Sequence, residues 1–134
     1  MYGEEEQCIL TSSFEGMRVA TLRGEWDVAT REQLRSALSS LGSESDVLVD
    51  LRDASFFDST ALAELIGLYK RLNGAGRRLE ALVGESNMRR LLELTSLDGL
   101  LGVSRERERY LVERLPRTEW PGPQGDEAEN GRRT

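Results

Sequence analysis

Histidine is absent from this 134-residue chain, and cysteine occurs once, as Cys8. The first absence removes the commonest general base and the commonest zinc ligand, and excludes any nucleophilic triad that turns on histidine. The second leaves no internal disulfide to form. No apolar run approaches the roughly eighteen residues that a membrane-spanning helix needs. The start, Met1 to Glu6, is acidic and lacks the apolar stretch of a secretory signal, so the expected location is the cytoplasm. Lysine is confined to Lys70; the other basic residues are arginine, a composition bias with no functional meaning.

What is present suits one soluble domain: 38% of residues are apolar and 31% charged, and the length allows a single core. The net charge of −6 argues against a direct nucleic-acid partner, since phosphate affinity comes from clustered Lys and Arg. No segment points to a membrane partner, and no cofactor, metal site or catalytic residue is expected.

Cys8 to Phe14 reads as a strand, Glu15-Gly16 as a turn, and Arg18 to Leu22 as a second strand ended by Gly24, together a hairpin. Thr30 and Gln33 have capping-box spacing. Leu34, Ala37, Leu38 and Leu41 then mark an amphipathic helix stopped by Gly42. Val47-Leu48-Val49 suits a strand buried on both faces, running into a loop at Arg52 to Ser55. Leu62, Leu65, Ile66, Tyr69 and Leu72 form a helical stripe that begins near Ser59 and ends at Asn73-Gly74. Leu79 to Val83 is a further strand. Ser86 can cap a third helix with the stripe Met88, Leu91, Leu92 and Thr95. Leu100 to Val103 reads as a last short strand, and Ser104 as the cap of a helix to Leu115. Strands alternating with helices predict a mostly parallel α/β sheet of four to five strands with one antiparallel edge. Residues 8–115 form the domain. Residues 1–7 are expected to be a flexible acidic lead, and 116–134 a disordered tail rich in proline, glycine and charge.

Asp58-Ser59-Thr60 stands where the central strand gives way to its helix. Each is a preferred N-cap, whose oxygen accepts an orphan N–H of the first turn. A phosphorylated serine suits the same place, because a helix N-terminus offers free N–H groups and partial positive charge. One of Phe56 and Phe57 should pack under the sheet, leaving the other free to be exposed. Cap and switch both remain open on local physics.

Five segments stand in order: Leu22-Arg23-Gly24-Glu25-Trp26-Asp27 with Thr30, Val47 to Leu51, Phe57-Asp58-Ser59-Thr60-Ala61-Leu62, Gly76 with Leu79 and Val83, and Leu91 to Leu97. Together they resemble a STAS domain, and specifically an anti-sigma factor antagonist of bacterial partner-switching systems. The resemblance implies a small sheet with helices packed mainly on one side. It also implies phosphorylation at Ser59, with Thr60 the runner-up. The unphosphorylated form would bind an anti-sigma factor that is itself a serine kinase, and a serine phosphatase would reverse the modification. Glu25, Trp26, Asp27, Thr30, Phe57, Asp58, Thr60 and Ala61 are the matching positions for kinase and partner recognition, and a homodimer is allowed. Alternatives within the family are a stressosome-like scaffold, the soluble subunit of a lipid-transport ABC complex, and a nucleotide-binding sensor.

Two departures stand out. Ala61 replaces the family's usual glycine, adding a methyl group where a kinase backbone would approach. Trp26 replaces an aliphatic residue, either as core filler or as an interface anchor. Glu25, Asp27, Asp50 and Asp58 are carboxylates able to converge at one end of the sheet, though loop acids generally cap helices. Cys8 is expected to be a buried strand residue, and Arg105 to Arg109 a solvated helix face.

Overall fold

The computed structural model describes residues 7–84, 87–101 and 103–121. Strands β1 (Cys8–Phe14) and β2 (Met17–Trp26) form the expected hairpin. Its turn places Glu15 and Gly16 at positive φ. A short 3-10 turn, Val28–Thr30, leads into α1 (Arg31–Ser39). Then come β3 (Val47–Phe57), α2 (Ser59–Gly74), β4 (Leu79–Leu82), α3 (Asn87–Leu94), α4 (Asp98–Leu101) and α5 (Arg105–Arg114). The sheet has four strands in the order β1-β2-β3-β4. Its first pair is antiparallel and the other two are parallel.

Alternation along the strands gives the sheet two covered faces. One face carries Ala20, Leu22, Val47, Val49, Leu51, Leu79 and Ala81, and α1 to α4 pack on it through residues such as Leu34, Leu65, Leu92 and Leu101. The other face carries Met17, Val19, Leu48 and Leu82 beneath Leu111 and Leu115 of the α5 region. Among the described residues, four helices lie on one side and one on the other.

Several expectations are corrected. β2 does not end at Gly24. That residue sits at φ +95 inside the strand, beside a register shift that skips Ser55 of β3. A second shift lies between Thr21 and Arg23, so β3 runs unbroken through Arg52–Ser55, where a loop was expected. Each extra residue is absorbed as a bulge, which bends the strand without ending it. The strand expected from Leu100 is not formed: Leu100 and Leu101 lie in α4. The Leu101 amide donates to the Leu97 carbonyl at 2.9 Å, and the two side chains share the i, i+4 helical face that meets the core.

Pro116 to Pro121 are among the described residues, and Asp53 holds them. Its carboxylate accepts from Arg117 at 2.6 Å and from the Trp120 indole at 2.7 Å. The Arg23 guanidinium lies over the Trp120 ring at 5.2 Å. The 105–109 run is only partly a solvated face. Arg107 pairs with Glu80 of β4 at 2.9 Å, and Glu108 with Arg89 of α3 at 2.6 Å, which fastens α5 to the sheet and to α3. Cys8 is half-buried. The expected cap Ser86, the acidic lead up to Glu6 and residues 122–134 lie outside the described residues.

Candidate functional site

The parallel pairing of β2 and β3 ends with Trp26 opposite Phe57. Both side chains are buried in the main core. The Trp26 indole N–H is satisfied by the Arg23 carbonyl at 3.2 Å. The Asp58 amide donates to the Trp26 carbonyl at 3.1 Å, tying the exit of β3 to the end of β2. Asp27 and Asp58, the next residue on each strand, therefore stand side by side where two helical segments start.

Each aspartate is a cap. Asp58 Oδ1 accepts from the Ala61 amide at 3.0 Å, at the third position of α2. Asp27 Oδ1 accepts from the Ala29 amide at 3.0 Å, while Thr30 Oγ1 accepts from the Asp27 amide at 2.9 Å. The capping box is thus Asp27 with Thr30. It is not Thr30 with Gln33, because Thr30 makes no side-chain cap bond to α1.

With Asp58 as the cap, Ser59 is the first residue inside α2 and is exposed. Its hydroxyl has no hydrogen-bond partner among the described residues, and neither Ser59 nor Thr60 donates its amide to any acceptor there. Ser59 is thus a free hydroxyl over free helix-end N–H groups. Thr60 is half-buried.

The matching positions divide by accessibility. Glu25 is exposed, and Asp27, Thr30, Asp58 and Thr60 are partly so. Trp26, Phe57 and Ala61 are buried, so they hold the site in shape and present no contact surface. The Ala61 methyl points to the core and does not meet an approaching backbone. Asp50 does not join the other carboxylates: it is buried, and its oxygens take the Arg52 guanidinium at 3.0 and 2.8 Å. Among the described residues no group of acidic or cysteine side chains is placed to hold a metal ion.

Two exposed apolar residues flank the helix start. Phe56, next to buried Phe57, is 51% exposed, and Val28, beyond Asp27, is 71% exposed. Alternation along β3 sends Phe56 outward. The sequence signals Val28 only as an apolar residue directly after a capping aspartate. One turn along α2, Glu64 receives Arg31 at 2.8 Å and Arg35 at 3.1 Å from α1. Hydrogen bonds from Arg35 and then Arg31 hold its carboxyl below the usual range.

The family described as "Mlab, STAS domain" matches residues 10–102. The chain belongs to the STAS-domain family. Among similar STAS proteins is the anti-sigma-B factor antagonist of Staphylococcus aureus (strain NCTC 8325 / PS 47). It is 34% identical over 83 residues, which cover 60% of this chain and 77% of that one. The anti-sigma-B factor antagonist of Staphylococcus epidermidis is 35% identical over the same shares. In fold, this STAS domain is similar to an anti-sigma factor antagonist from Mycobacterium paratuberculosis. The TM-score is 0.65 at 24% identity, covering 84% of this chain and 99% of that one. It is also similar to the anti-sigma factor antagonist SpoIIAA in its unphosphorylated form. There the TM-score is 0.57 at 19% identity, covering 79% and 96%. Among the described residues, no helix is long and apolar enough to cross a membrane.

Proposed function

We propose that this STAS domain is an anti-sigma factor antagonist that switches partners through phosphorylation of Ser59. Unmodified, it binds an anti-sigma factor serine kinase in the cytoplasm and so frees the sigma factor. The kinase phosphorylates Ser59 and loses the contact, and a serine phosphatase restores it. The protein supplies the acceptor hydroxyl and performs no catalysis of its own.

The observation that carries this reading is the division of labour at the start of α2. Asp58 fills the cap, which leaves the Ser59 hydroxyl exposed and uncommitted. A phosphate there adds about −1.5 to −2 charges. The helix end tolerates it, since the Ser59 and Thr60 amides are unclaimed and the dipole is favourable. What changes is the surface: a dianion appears at the head of α2, in a region where Phe56 and Val28 are each exposed and suited to a partner's apolar anchor. The names of the staphylococcal relatives agree with this role.

Incubation with the cognate anti-sigma kinase and ATP, followed by mapping of the phosphate by mass spectrometry, tests the assignment. Phosphate on Ser59 is expected. Phosphate on Thr60 alone, or on neither residue, refutes it. Ser59→Ala should keep partner affinity, and Ser59→Glu should lower it at least about tenfold, or 1.4 kcal/mol. Equal affinities for these two variants would instead favour a non-switching STAS scaffold that docks through the same surface.

A further inference from the structure

Strand β1 is an open edge. Its seven residues pair in unbroken register with β2 and with no other strand among the described residues. Proteins that stay monomeric blunt such an edge with charge, proline, a bulge or short length. The opposite edge, β4, is short, at four residues. Cys8-Ile9-Leu10-Thr11-Ser12-Ser13-Phe14 has none of these devices. It carries no charge and no proline, and Thr11, Ser12 and Ser13 are small and exposed. In a chain of net charge −6, this is an uncharged strand whose outer backbone edge is unpaired among the described residues.

We propose that β1 is a homodimer interface, at which the β1 strands of two copies pair antiparallel about a two-fold axis at Thr11. The two four-stranded sheets then join into one continuous sheet. The register follows from pairing all seven residues, which only this alignment does. Thr11 faces Thr11, Leu10 faces Ser12, Ile9 faces Ser13 and Cys8 faces Phe14. Glu15 falls opposite Gln7, so no carboxylate meets its own copy.

A second observation names the occupant. An open groove of about 440 Å³ runs beside β1, floored by Val19 and Thr21 and walled by Leu115 and Pro116. Ser12 lies opposite Val19 on that face of the sheet. In the proposed register the second copy's Leu10 sits beside Ser12, at the mouth of the groove. An apolar side chain of the same strand thus meets a groove that Val19, Leu115 and Pro116 line, and the two-fold axis repeats the contact on the other copy.

Sedimentation equilibrium of the full chain, from micromolar to millimolar concentration, should show the mass rising to twice that of one chain. Thr11→Lys opposes two ammonium groups across the strand pair and should weaken the dimer about fivefold. Thr11 is exposed, so the variant should keep the wild-type circular dichroism. In a Cys8→Ala background, Thr11→Cys should oxidise to a covalent dimer. Ser13→Cys should not, because the two copies of residue 13 lie roughly 13 Å apart in this register, beyond disulfide reach. A monomer at every concentration, a dimer indifferent to Thr11→Lys, or equal cross-linking through position 13 would overturn the proposal. Should Thr11→Lys fail to fold, the cysteine pair decides.

Discussion

Replacing Asp58 separates the two things a carboxylate can do at a helix start. Its Oδ1 accepts from the Ala61 amide at 3.0 Å, and the Ala61 side chain is buried, so water cannot readily take over that amide. Loss of an N-cap acceptor costs about 0.5–2 kcal/mol, and a sheltered donor belongs in the upper half of that range. Loss of the negative charge from the helix dipole adds about 0.3–1 kcal/mol. Asp58→Ala should therefore cost about 2 kcal/mol, which lowers Tm by about 8 °C in a domain of this size. Asp58→Asn keeps the acceptor and loses only the charge, so it should cost about 0.3–1 kcal/mol. Urea denaturation at neutral pH, followed by circular dichroism, measures both. Equal losses for the two variants, or no loss for alanine, would refute the cap assignment. The same pair tests the role at Ser59. A positioning role predicts that Asp58→Asn is phosphorylated at close to the wild-type rate while Asp58→Ala is slowed.

Three other perturbations follow from the geometry. Asp53→Ala removes the acceptor of both Arg117 and Trp120, so Trp120 fluorescence should shift to the red and become more quenchable by iodide, with unfolding little changed; an unaltered spectrum would contradict the clasp. Arg52→Ala strands the buried Asp50 carboxylate and should cost about 3 kcal/mol, whereas replacing both residues by apolar ones should recover much of that loss; a neutral single variant would count against the pair. Glu64 has a depressed carboxyl pKa, so its contribution to stability is present above the ordinary value of 4.5 and is lost as pH falls through the lower folded value. The stability gap between wild type and Glu64→Gln should therefore be widest near neutral pH and close below 4.5, and a gap that widens in acid would reverse the sign of this argument.

Local pattern made much of this fold legible. The hairpin shows in apolar segments flanking Glu15-Gly16, and α2 in a stripe of period 3.6. The end of α2 is written in Asn73 to Arg77: the Arg77 amide reaches the Leu72 carbonyl at 2.8 Å, and Gly76 takes the left-handed position between them. The length of β3 was not legible, because its bulges break the alternation at the point where a loop looks natural. Nor was the cap. Asp58, Ser59 and Thr60 have the same composition signal, and only backbone angles decide which lies outside the helix: Asp58 is extended, at φ −100 and ψ −174. The Asp27 box was missed for the same reason. The strap on Asp53 had no local signal at all, since its partners are 64 and 67 residues away.

The resolution of the cap changes what Ser59 can do. Had Ser59 been the cap, its oxygen would have held an α2 amide, and esterification would have competed with the first turn of the helix. Modification would then have acted on the fold. With Asp58 in that role, the Ser59 oxygen lies outside the hydrogen bonds that start α2. The supports beneath it are also buried and already satisfied: Trp26 with its indole bonded, Phe57 paired opposite it, and Ala61 turned into the core. A dianion added above this base finds two amides with no acceptor among the described residues. Its cost falls on whatever would cover Phe56 and Val28, because a partner docking there would have to strip water from a phosphate that it cannot pair.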